Sequence, residues 1–263
     1  MKYFDTHAHY YDGRFDSELE GGAIPLLDKL FSGDVGYIIN VGTSPDTCLE
    51  AIAQAKRYAN MYTLLGIHPS DCQSLTVSLD EALSNIEALI KNPESKCVGI
   101  GEIGLDYHYP DTDKAKQAAY FNAQMELAKR LSLPVCIHDR DAHADVFEMI
   151  KKHPDVRGVL HSYSGSAEMA KELVKLGYMI SFSGVLTFKN ARKTVEVASA
   201  IPKEFILIET DCPYLAPTPH RGELNHSGNL TYTNRTLASI LSISEEECAA
   251  LTEANAKRFF GIK

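Results

Sequence analysis

Eight short apolar runs recur along this chain of 263 residues and constrain its fold more than any other feature. Successive runs begin roughly 20 to 37 residues apart, which is the spacing of strand–helix units. They lie near residues 3–9, 37–43, 61–68, 97–105, 134–139, 157–162, 178–184 and 205–211. Eight such units predict an α/β fold with a single (β/α)8 barrel of the TIM type. Because no Pro-rich linker or repeat interrupts them, we expect one domain over residues 1–263.

The segments between these runs have helical periodicity. The clearest covers residues 112–131, where apolar side chains recur at steps of three and four residues. Asp113 and its neighbours follow Pro110 and can cap this helix. Weaker helical patterns cover residues 79–91, 142–152, 166–176 and 190–200. Ser244 and Glu247 form a capping-box pattern that predicts the start of a last helix.

A doubly wound open sheet is the alternative architecture, and it would require a glycine-rich phosphate loop. Gly99, Gly101 and Gly104 do match the G-x-G-x-x-G pattern. These glycines lie within a predicted strand and its exit, and the next predicted helix begins several residues later. The pattern therefore indicates close packing of small residues, and we prefer the barrel.

Six residues of the types that bind metals stand at or near the ends of the apolar runs. They are His7, His9, Glu102, His138, His161 and Asp211. The carboxyl ends of parallel barrel strands share one face, so these side chains are expected to meet there. His7 and His9 are two residues apart on a strand and therefore point to the same side. Four histidines and two carboxylates can hold two divalent ions that activate a water molecule, with Asp211 as a candidate proton acceptor.

Each of these residues also has a structural interpretation. Glu102 could form a buried salt bridge, since a carboxylate among apolar residues is costly without a partner. His138 and His161 could be hydrogen-bonded core histidines, and Asp211 could cap the following loop. Because all of these placements coincide, the metal-site interpretation is favoured.

The composition narrows the classes of partner. The formal net charge is −9, which opposes broad binding to duplex DNA through a basic face. This net charge does not exclude a nucleic acid substrate that is bound at only a few phosphates. No apolar run is long enough to span a bilayer, and the first strand begins too early for a signal peptide. We therefore expect a cytoplasmic protein. In a chain of this size and compartment we expect no disulfide framework, and none of the six cysteines are spaced as C-x-x-C.

The chain resembles the TatD-type metal-dependent deoxyribonucleases of the amidohydrolase superfamily over essentially its whole length. The similar stretches are Asp5-Thr6-His7-Ala8-His9, Gly66-Ile67-His68-Pro69, Gly101-Glu102-Ile103-Gly104-Leu105-Asp106-Tyr107, His138-Asp139-Arg140-Asp141-Ala142, His161-Ser162-Tyr163-Ser164-Gly165, Glu209-Thr210-Asp211-Cys212-Pro213-Tyr214-Leu215 and Pro219-His220-Arg221-Gly222. One departure is Glu223-Leu224-Asn225, where relatives often carry a basic residue.

The resemblance implies a binuclear site. His7, His9, Glu102 and Asp211 would hold one ion, and Glu102 would bridge to a second ion held by His138 and His161. The implied cofactors are two divalent ions, Mg²⁺ or Mn²⁺, with Zn²⁺ also suited to the ligand set. Asp211 and Glu102 would be the catalytic residues. His68, Arg140, His220 and Arg221 are candidate contacts to the substrate.

The implied activity is hydrolysis of nucleic acid phosphodiesters by a 3′→5′ exonuclease acting on DNA, at single strands or 3′ ends. An alternative within the same family is a D-aminoacyl-tRNA deacylase, which would use the same metals on an ester. A non-catalytic metal-binding protein is a third possibility, although structural zinc sites usually use four ligands, often cysteine. We expect no membrane association, and no obligate protein partner is evident.

Overall fold

The computed structural model describes residues 1–263 and contains one eight-stranded parallel sheet. The strands follow one another in chain order and form a nearly closed barrel with interspersed helices, as predicted. They are β1 (Tyr3–Ala8), β2 (Val35–Gly42), β3 (Met61–Leu65), β4 (Cys97–Asp106), β5 (Val135–Arg140), β6 (Gly158–Leu160), β7 (Met179–Phe182) and β8 (Ile206–Ile208). Because their side chains are mostly buried, these apolar runs form the core.

Eleven α-helices connect the strands. They are α1 (Gly13–Glu18), α2 (Ala23–Ser32), α3 (Pro45–Ala55), α4 (Pro69–Cys72), α5 (Leu79–Lys91), α6 (Lys114–Leu131), α7 (His143–Lys152), α8 (Ala167–Lys175), α9 (Arg192–Ala200), α10 (Leu230–Leu241) and α11 (Glu245–Phe260). The predicted caps are confirmed, since Asp113 caps α6 and Ser244 forms a capping box with Glu247 at α11. None of the helices combines the length and the apolar character needed to cross a bilayer.

The strand ends differ in part from the sequence prediction. Glu102 lies inside β4, which continues to Asp106, whereas the predicted ligands were expected at or near the ends of the runs. The strand continues because Ile103 to Asp106 pair with β5 in regular parallel register. His161 follows the last residue of β6 directly, and Asp211 lies beyond the end of β8 at Ile208.

The chain contains two compact units. The first comprises Met1–Asn40, His161–Lys175 and Met179–Lys263, and the second comprises Val41–Leu160 with Leu176–Tyr178. In the first unit, α11 packs against β1 and β8. In the second unit, α6 packs along β4. The expectation of one domain over residues 1–263 stays a prediction.

The three glycines of the G-x-G-x-x-G pattern all lie within β4 and allow it to approach β5 closely. A Cβ atom at Gly101 would come 2.7 Å from the Cβ of Cys136, and one at Gly99 would come 2.7 Å from the Pro134 carbonyl oxygen. These distances are shorter than van der Waals contact, so only glycine fits. The packing interpretation of the pattern is confirmed.

Candidate metal centre

Three predicted ligands converge where β1 ends. The Nε2 atoms of His7 and His9 are 3.1 Å apart. Asp211 Oδ1 lies 3.4 Å from His9 Nε2 and 3.8 Å from His7 Nε2. Metal–ligand bonds of about 2.1 Å place neighbouring ligand atoms about 3.0 to 3.4 Å apart. The distances of 3.1 and 3.4 Å fall in this range and the third, 3.8 Å, is slightly longer, so the three atoms are close enough together to surround one divalent cation.

Backbone pairing beyond the end of β8 brings Asp211 to this cluster. The Asp211 N–H donates to the His7 carbonyl oxygen at 2.9 Å, and the His9 N–H donates to the Cys212 carbonyl oxygen at 2.8 Å. Asp211 has φ +56, a left-handed conformation that aspartate tolerates better than most residues. Burial raises the pKa of Asp211, but the His9 hydrogen bond and the nearby histidine charges outweigh it and lower the pKa overall. Asp211 is consequently ionised at neutral pH.

Asp5 supports this cluster from within β1, on the same side of the strand as His7. Its carboxylate is fully buried and accepts hydrogen bonds from the Thr210 N–H at 2.9 Å and from the Ser227 hydroxyl at 2.7 Å. Burial raises the pKa of Asp5 to about 7 against these hydrogen bonds. Asp5 thus ties the segment around Asp211 to β1.

His161 lies in the same unit as this cluster. Its ring stacks on the His7 ring with centroids 4.0 Å apart. Its Nδ1 atom is 3.2 Å from Glu209 Oε1, and Glu209 is almost completely buried. Glu209 was not among the predicted site residues, although it directly follows β8 and lies two residues before Asp211.

A second cluster forms within the other compact unit, where β4 meets β5. His138 Nδ1 lies 2.7 Å from Glu102 Oε1, and His138 Nε2 lies 3.1 Å from Asp106 Oδ2. Glu102 and Asp106 are both buried. Burial raises the pKa of Asp106, but hydrogen bonds from His138 and the His108 N–H outweigh it and lower the pKa overall. Asp106 was not among the predicted site residues, although it lies on the Glu102 side of β4.

His68 joins this second cluster, with its Nε2 atom 3.4 Å from Glu102 Oε1. Its Nδ1 atom accepts a hydrogen bond from the Ser70 N–H at 3.1 Å, at the start of α4. A ring nitrogen that accepts a hydrogen bond carries no proton, so the proton of neutral His68 is on Nε2. Burial lowers the pKa of His68, which favours the neutral ring. His68 thus directs an N–H donor at the cluster, which suits a substrate contact better than a metal ligand.

Two buried glutamines of α6 hold the backbone beside this cluster. Gln124 accepts from the Ile67 N–H at 2.7 Å and donates to the Ile67 carbonyl oxygen at 3.0 Å. Gln117 makes the equivalent pair with Asp106, at 2.9 and 3.0 Å. Neither glutamine was predicted to be buried, because an amide side chain on a helix is ordinarily exposed. Their spacing of two helical turns on the buried face is the signal that could have found them.

The other three predicted substrate contacts lie in loops or at a strand end. Arg140 is exposed at the end of β5, with Cζ 5.7 Å from the centre of the Tyr109 ring. Arg221 is exposed over the Phe188 ring, with Cζ 3.6 Å from its centre. The ring nitrogens of His220 contact Glu223 at 2.8 Å and the Tyr232 hydroxyl at 2.9 Å. His220 therefore has a role within its own loop, and substrate contact by these residues stays a prediction.

The chemistry of both clusters fits divalent cations. Imidazole nitrogens and carboxylate oxygens together suit zinc, manganese and related ions. Glu209 Oε2 is buried without a hydrogen-bond partner, and burying a carboxylate is costly unless positive charge lies nearby. His7, His9 and Asp211 form one candidate ligand group, and Glu102 and His138 supply candidate ligand atoms to a second group that His68 adjoins; the atoms of each group lie within 4.8 Å of one another. A cation at each cluster would balance the buried negative charge.

A family model and two sequence relatives all indicate the same family of metal-dependent hydrolases for this chain. The family model described as "TatD related DNase" matches residues 4–261. The "uncharacterized metal-dependent hydrolase YabD" of Bacillus subtilis is 39% identical over 261 residues, covering 98% of this chain and 99% of that protein. The "uncharacterized metal-dependent hydrolase YcfH" of Escherichia coli K12 is 33% identical over 260 residues, covering 98% of this chain and 95% of that protein.

A solved structure agrees with these sequence relatives. The crystal structure of YjjV, a TatD homologue from Escherichia coli K12, superposes with a TM-score of 0.90 and 28% sequence identity. The match covers 99% of this chain and 98% of that one. The likeness therefore extends over the entire barrel.

Proposed function

Because the chain belongs to the TatD family of metal-dependent hydrolases, we propose that it cleaves nucleic acid phosphodiester bonds as a 3′→5′ exonuclease on DNA. The convergence of His7, His9 and Asp211 carries the proposal, because these residues form a candidate cation site that includes an ionised carboxylate. The name of the matching family model supports DNA as the substrate.

The proposed cofactors are two divalent ions, Mg²⁺ or Mn²⁺, with Zn²⁺ also suited to the ligands. His7, His9 and Asp211 would hold one ion, and His138 and His161 the other. Glu102 would bind both ions, which is the role that the resemblance to the family implies. When bound, such a pair of ions lowers the pKa of water and offsets charge on the phosphate oxygens.

The protein's own groups supply proton transfer and orientation. Asp211 is ionised at neutral pH and serves as the acceptor for the proton of the attacking water. His68 directs its Nε2–H toward the cluster and donates a hydrogen bond to a phosphate or leaving-group oxygen. Arg140, exposed at the end of β5, contributes positive charge for a phosphate.

His220 and Arg221, in the loop after β8, are further proposed contacts to the substrate. Asn225 anchors this loop, since its side-chain amide donates to the Thr210 carbonyl oxygen at 2.9 Å and to that of Tyr214 at 2.6 Å. With a formal net charge of −9, the chain lacks the excess of basic residues that favours long duplexes. Single strands and 3′ ends are therefore the proposed substrates. A cytoplasmic location is part of the proposal, since the six cysteines are free thiols.

A substrate panel tests the proposal. Purified protein with Mg²⁺ or Mn²⁺ is incubated with single-stranded DNA, duplex DNA, single-stranded RNA and D-aminoacyl-tRNA, each alone. The expected result is stepwise shortening of single-stranded DNA from its 3′ end, abolished by EDTA. Release of the amino acid without DNA cleavage would instead establish the ester hydrolase. No turnover from protein that carries two ions would favour a non-catalytic metal-binding protein.

A pair of glutamate variants separates the site from contaminating nucleases. Glu102→Gln removes a charged ligand at the proposed bridge and is expected to abolish cleavage. Glu50→Gln makes the same chemical change at an exposed position of α3 and serves as the matched control. Equal cleavage by the two variants would contradict a role for Glu102.

A further inference from the structure

We propose that two buried carboxylates, Glu209 and Asp106, are positioning residues that fix opposite tautomers of His161 and His138. Glu209 holds the proton of His161 on Nδ1, so that His161 offers Nε2 to a metal. Asp106 holds the proton of His138 on Nε2, so that His138 offers Nδ1. The inference rests on the metal-binding part of the proposed function and is independent of the substrate.

The Glu209 carboxylate is held in place by a backbone hydrogen bond as well as by its contact with His161. Its Oε1 atom accepts a hydrogen bond from the Ser162 N–H at 2.7 Å and lies 3.2 Å from His161 Nδ1. Glu209 is 1% exposed, so water does not compete for this contact. The oxygen that faces His161 is therefore already anchored by the backbone of the next residue. It acts as an acceptor for the imidazole N–H.

The Asp106 carboxylate, in the other compact unit, is likewise held by a backbone hydrogen bond. Its Oδ1 atom accepts from the His108 N–H at 3.0 Å, while its Oδ2 atom lies 3.1 Å from His138 Nε2. The backbone of Asp106 is bound on both sides by the Gln117 amide. These contacts leave the Asp106 carboxylate little freedom to rotate away from His138.

The two contacts engage opposite ring nitrogens, and this determines the ligand atoms. A neutral imidazole has one N–H, and a metal binds the other nitrogen. The unprotonated nitrogen of His138 is then Nδ1, which lies 2.7 Å from Oε1 of Glu102, another predicted ligand residue. A carboxylate behind a ligating histidine fixes its orientation and raises its basicity. Glu209 and Asp106 therefore act through the histidines.

Nitrogen NMR of the zinc-loaded protein tests the assignment directly, because Zn²⁺ is diamagnetic. Long-range ¹H–¹⁵N spectra of ¹⁵N-histidine-labelled protein, assigned with His161→Asn and His138→Asn, identify the protonated nitrogen of each ring. The expected result is an Nδ1–H tautomer for His161 and an Nε2–H tautomer for His138. The same tautomer at both rings, or the reversed pair, would overturn the inference. Wild-type protein that binds no zinc would overturn both the inference and the metal site.

Graded variants give a second readout in zinc affinity, measured by competition with a chelating dye. Glu209→Leu and Asp106→Leu remove the acceptor and are expected to weaken binding about 10- to 100-fold. Glu209→Gln and Asp106→Asn retain an acceptor oxygen and are expected to lose less. Glu196→Gln, at an exposed position of α9, is the control. Leucine variants that remain folded and bind zinc as tightly as the wild type would contradict the positioning role.

The failure of the nuclease proposal would be recognised separately. Tautomers and zinc affinity are measured without nucleic acid, so they do not depend on the substrate. A protein that cleaves no DNA but shows the two opposite tautomers would refute the proposed substrate and leave the positioning role intact. A protein that cleaves DNA but lacks the two opposite tautomers would refute the positioning role and leave the proposed substrate intact.

Discussion

Gly104 lies directly opposite His138 in the paired strands β4 and β5, with no room for a side chain between them. A Cβ atom at Gly104 would come 2.0 Å from the His138 carbonyl oxygen. Gly104 also has φ +139, a conformation that disfavours any other residue. The position of His138 in the second cluster thus depends on a glycine in the neighbouring strand.

We predict that Gly104→Ala displaces His138 and lowers the free energy of unfolding by at least about 3 kcal/mol, because backbone strain and a steric clash add together. Gly177→Ala is the matched control. Gly177 also has a positive φ, +85, but a Cβ atom added there would have no other atom within 4 Å. That variant should lose only about 1 kcal/mol. Urea unfolding measures the free energy of unfolding of both variants. An equal decrease in the two would contradict the prediction, because it would mean that the clash with β5 adds no cost.

The Gln124 side chain gives a second prediction, on the segment that carries His68. Gln124→Met keeps the approximate shape but leaves the N–H and carbonyl oxygen of Ile67 without partners. The free energy of unfolding is expected to fall by about 2 to 4 kcal/mol, since each buried unsatisfied group costs about 1 to 3 kcal/mol.

The same variant tests the role of His68. If His68 is a hydrogen-bond donor to substrate, Gln124→Met should reduce DNA cleavage while the protein still binds two ions. Metal content measured by atomic emission beside the cleavage rate separates these effects. Loss of one metal ion in Gln124→Met would indicate that His68 is a metal ligand and would contradict its role as a donor to substrate.

Asp211→Asn is predicted to weaken binding of the ion at the first cluster by at least about 100-fold, because the Asp211 carboxylate beside His7 and His9 loses its charge. Asparagine tolerates the left-handed conformation of Asp211, so the fold should be retained. Asp141→Asn is a close control, since Asp141 has the same φ of +56 and is exposed. Calorimetric titration with Mn²⁺ checks the prediction, and two undiminished sites in Asp211→Asn would refute the assignment.

Glu87 provides a pH-dependent prediction away from the site. Hydrogen bonds from Arg130 and then Lys91 lower the pKa of Glu87 to about 2 from its ordinary value of 4.5. Because the folded-state pKa is depressed, Glu87 stabilises the protein above about pH 4.5, and this contribution is lost as the pH falls toward 2. Arg130 and Lys91 are 59% and 61% exposed, so solvent screening limits the contribution to about 1 kcal/mol or less.

Glu87→Gln should accordingly lower the free energy of unfolding at pH 7 by about 0.5 to 1 kcal/mol. The difference from wild type should narrow at pH 4 and further at pH 3. Denaturant unfolding at the three pH values measures it. A difference that widens toward acid pH would mean that the pKa of Glu87 is not depressed in the folded state.

The strands and many of the candidate ligands could be predicted from the sequence because both depend on local patterns. Apolar runs of strand length identified all eight strands, and polar residues at their ends identified His7, His9 and Asp211. The six predicted ligands separate by position into His7, His9, His161 and Asp211 in one compact unit and Glu102 and His138 in the other.

The supporting residues could not be predicted in the same way because their roles depend on contacts through space. Glu209 and Asp106 are carboxylates whose function is set by the histidine nitrogen that each one faces. Gln117 and Gln124 are polar residues of α6, and only the packing of that helix on β4 shows that they bind buried backbone. His220 was a candidate substrate contact, and only the folded loop shows its contacts with Glu223 and Tyr232.

The rate of nucleotide release from a single-stranded DNA labelled at its 3′ end, at saturating Mn²⁺, tests the central claim most directly. The wild type should release labelled nucleotide from the first turnover, whereas the same DNA labelled at its 5′ end should shorten stepwise. Glu102→Gln should show at least about a 100-fold slower release, with Glu50→Gln unchanged. No release by wild-type protein shown to hold two ions, or equal release by Glu102→Gln, would contradict the account.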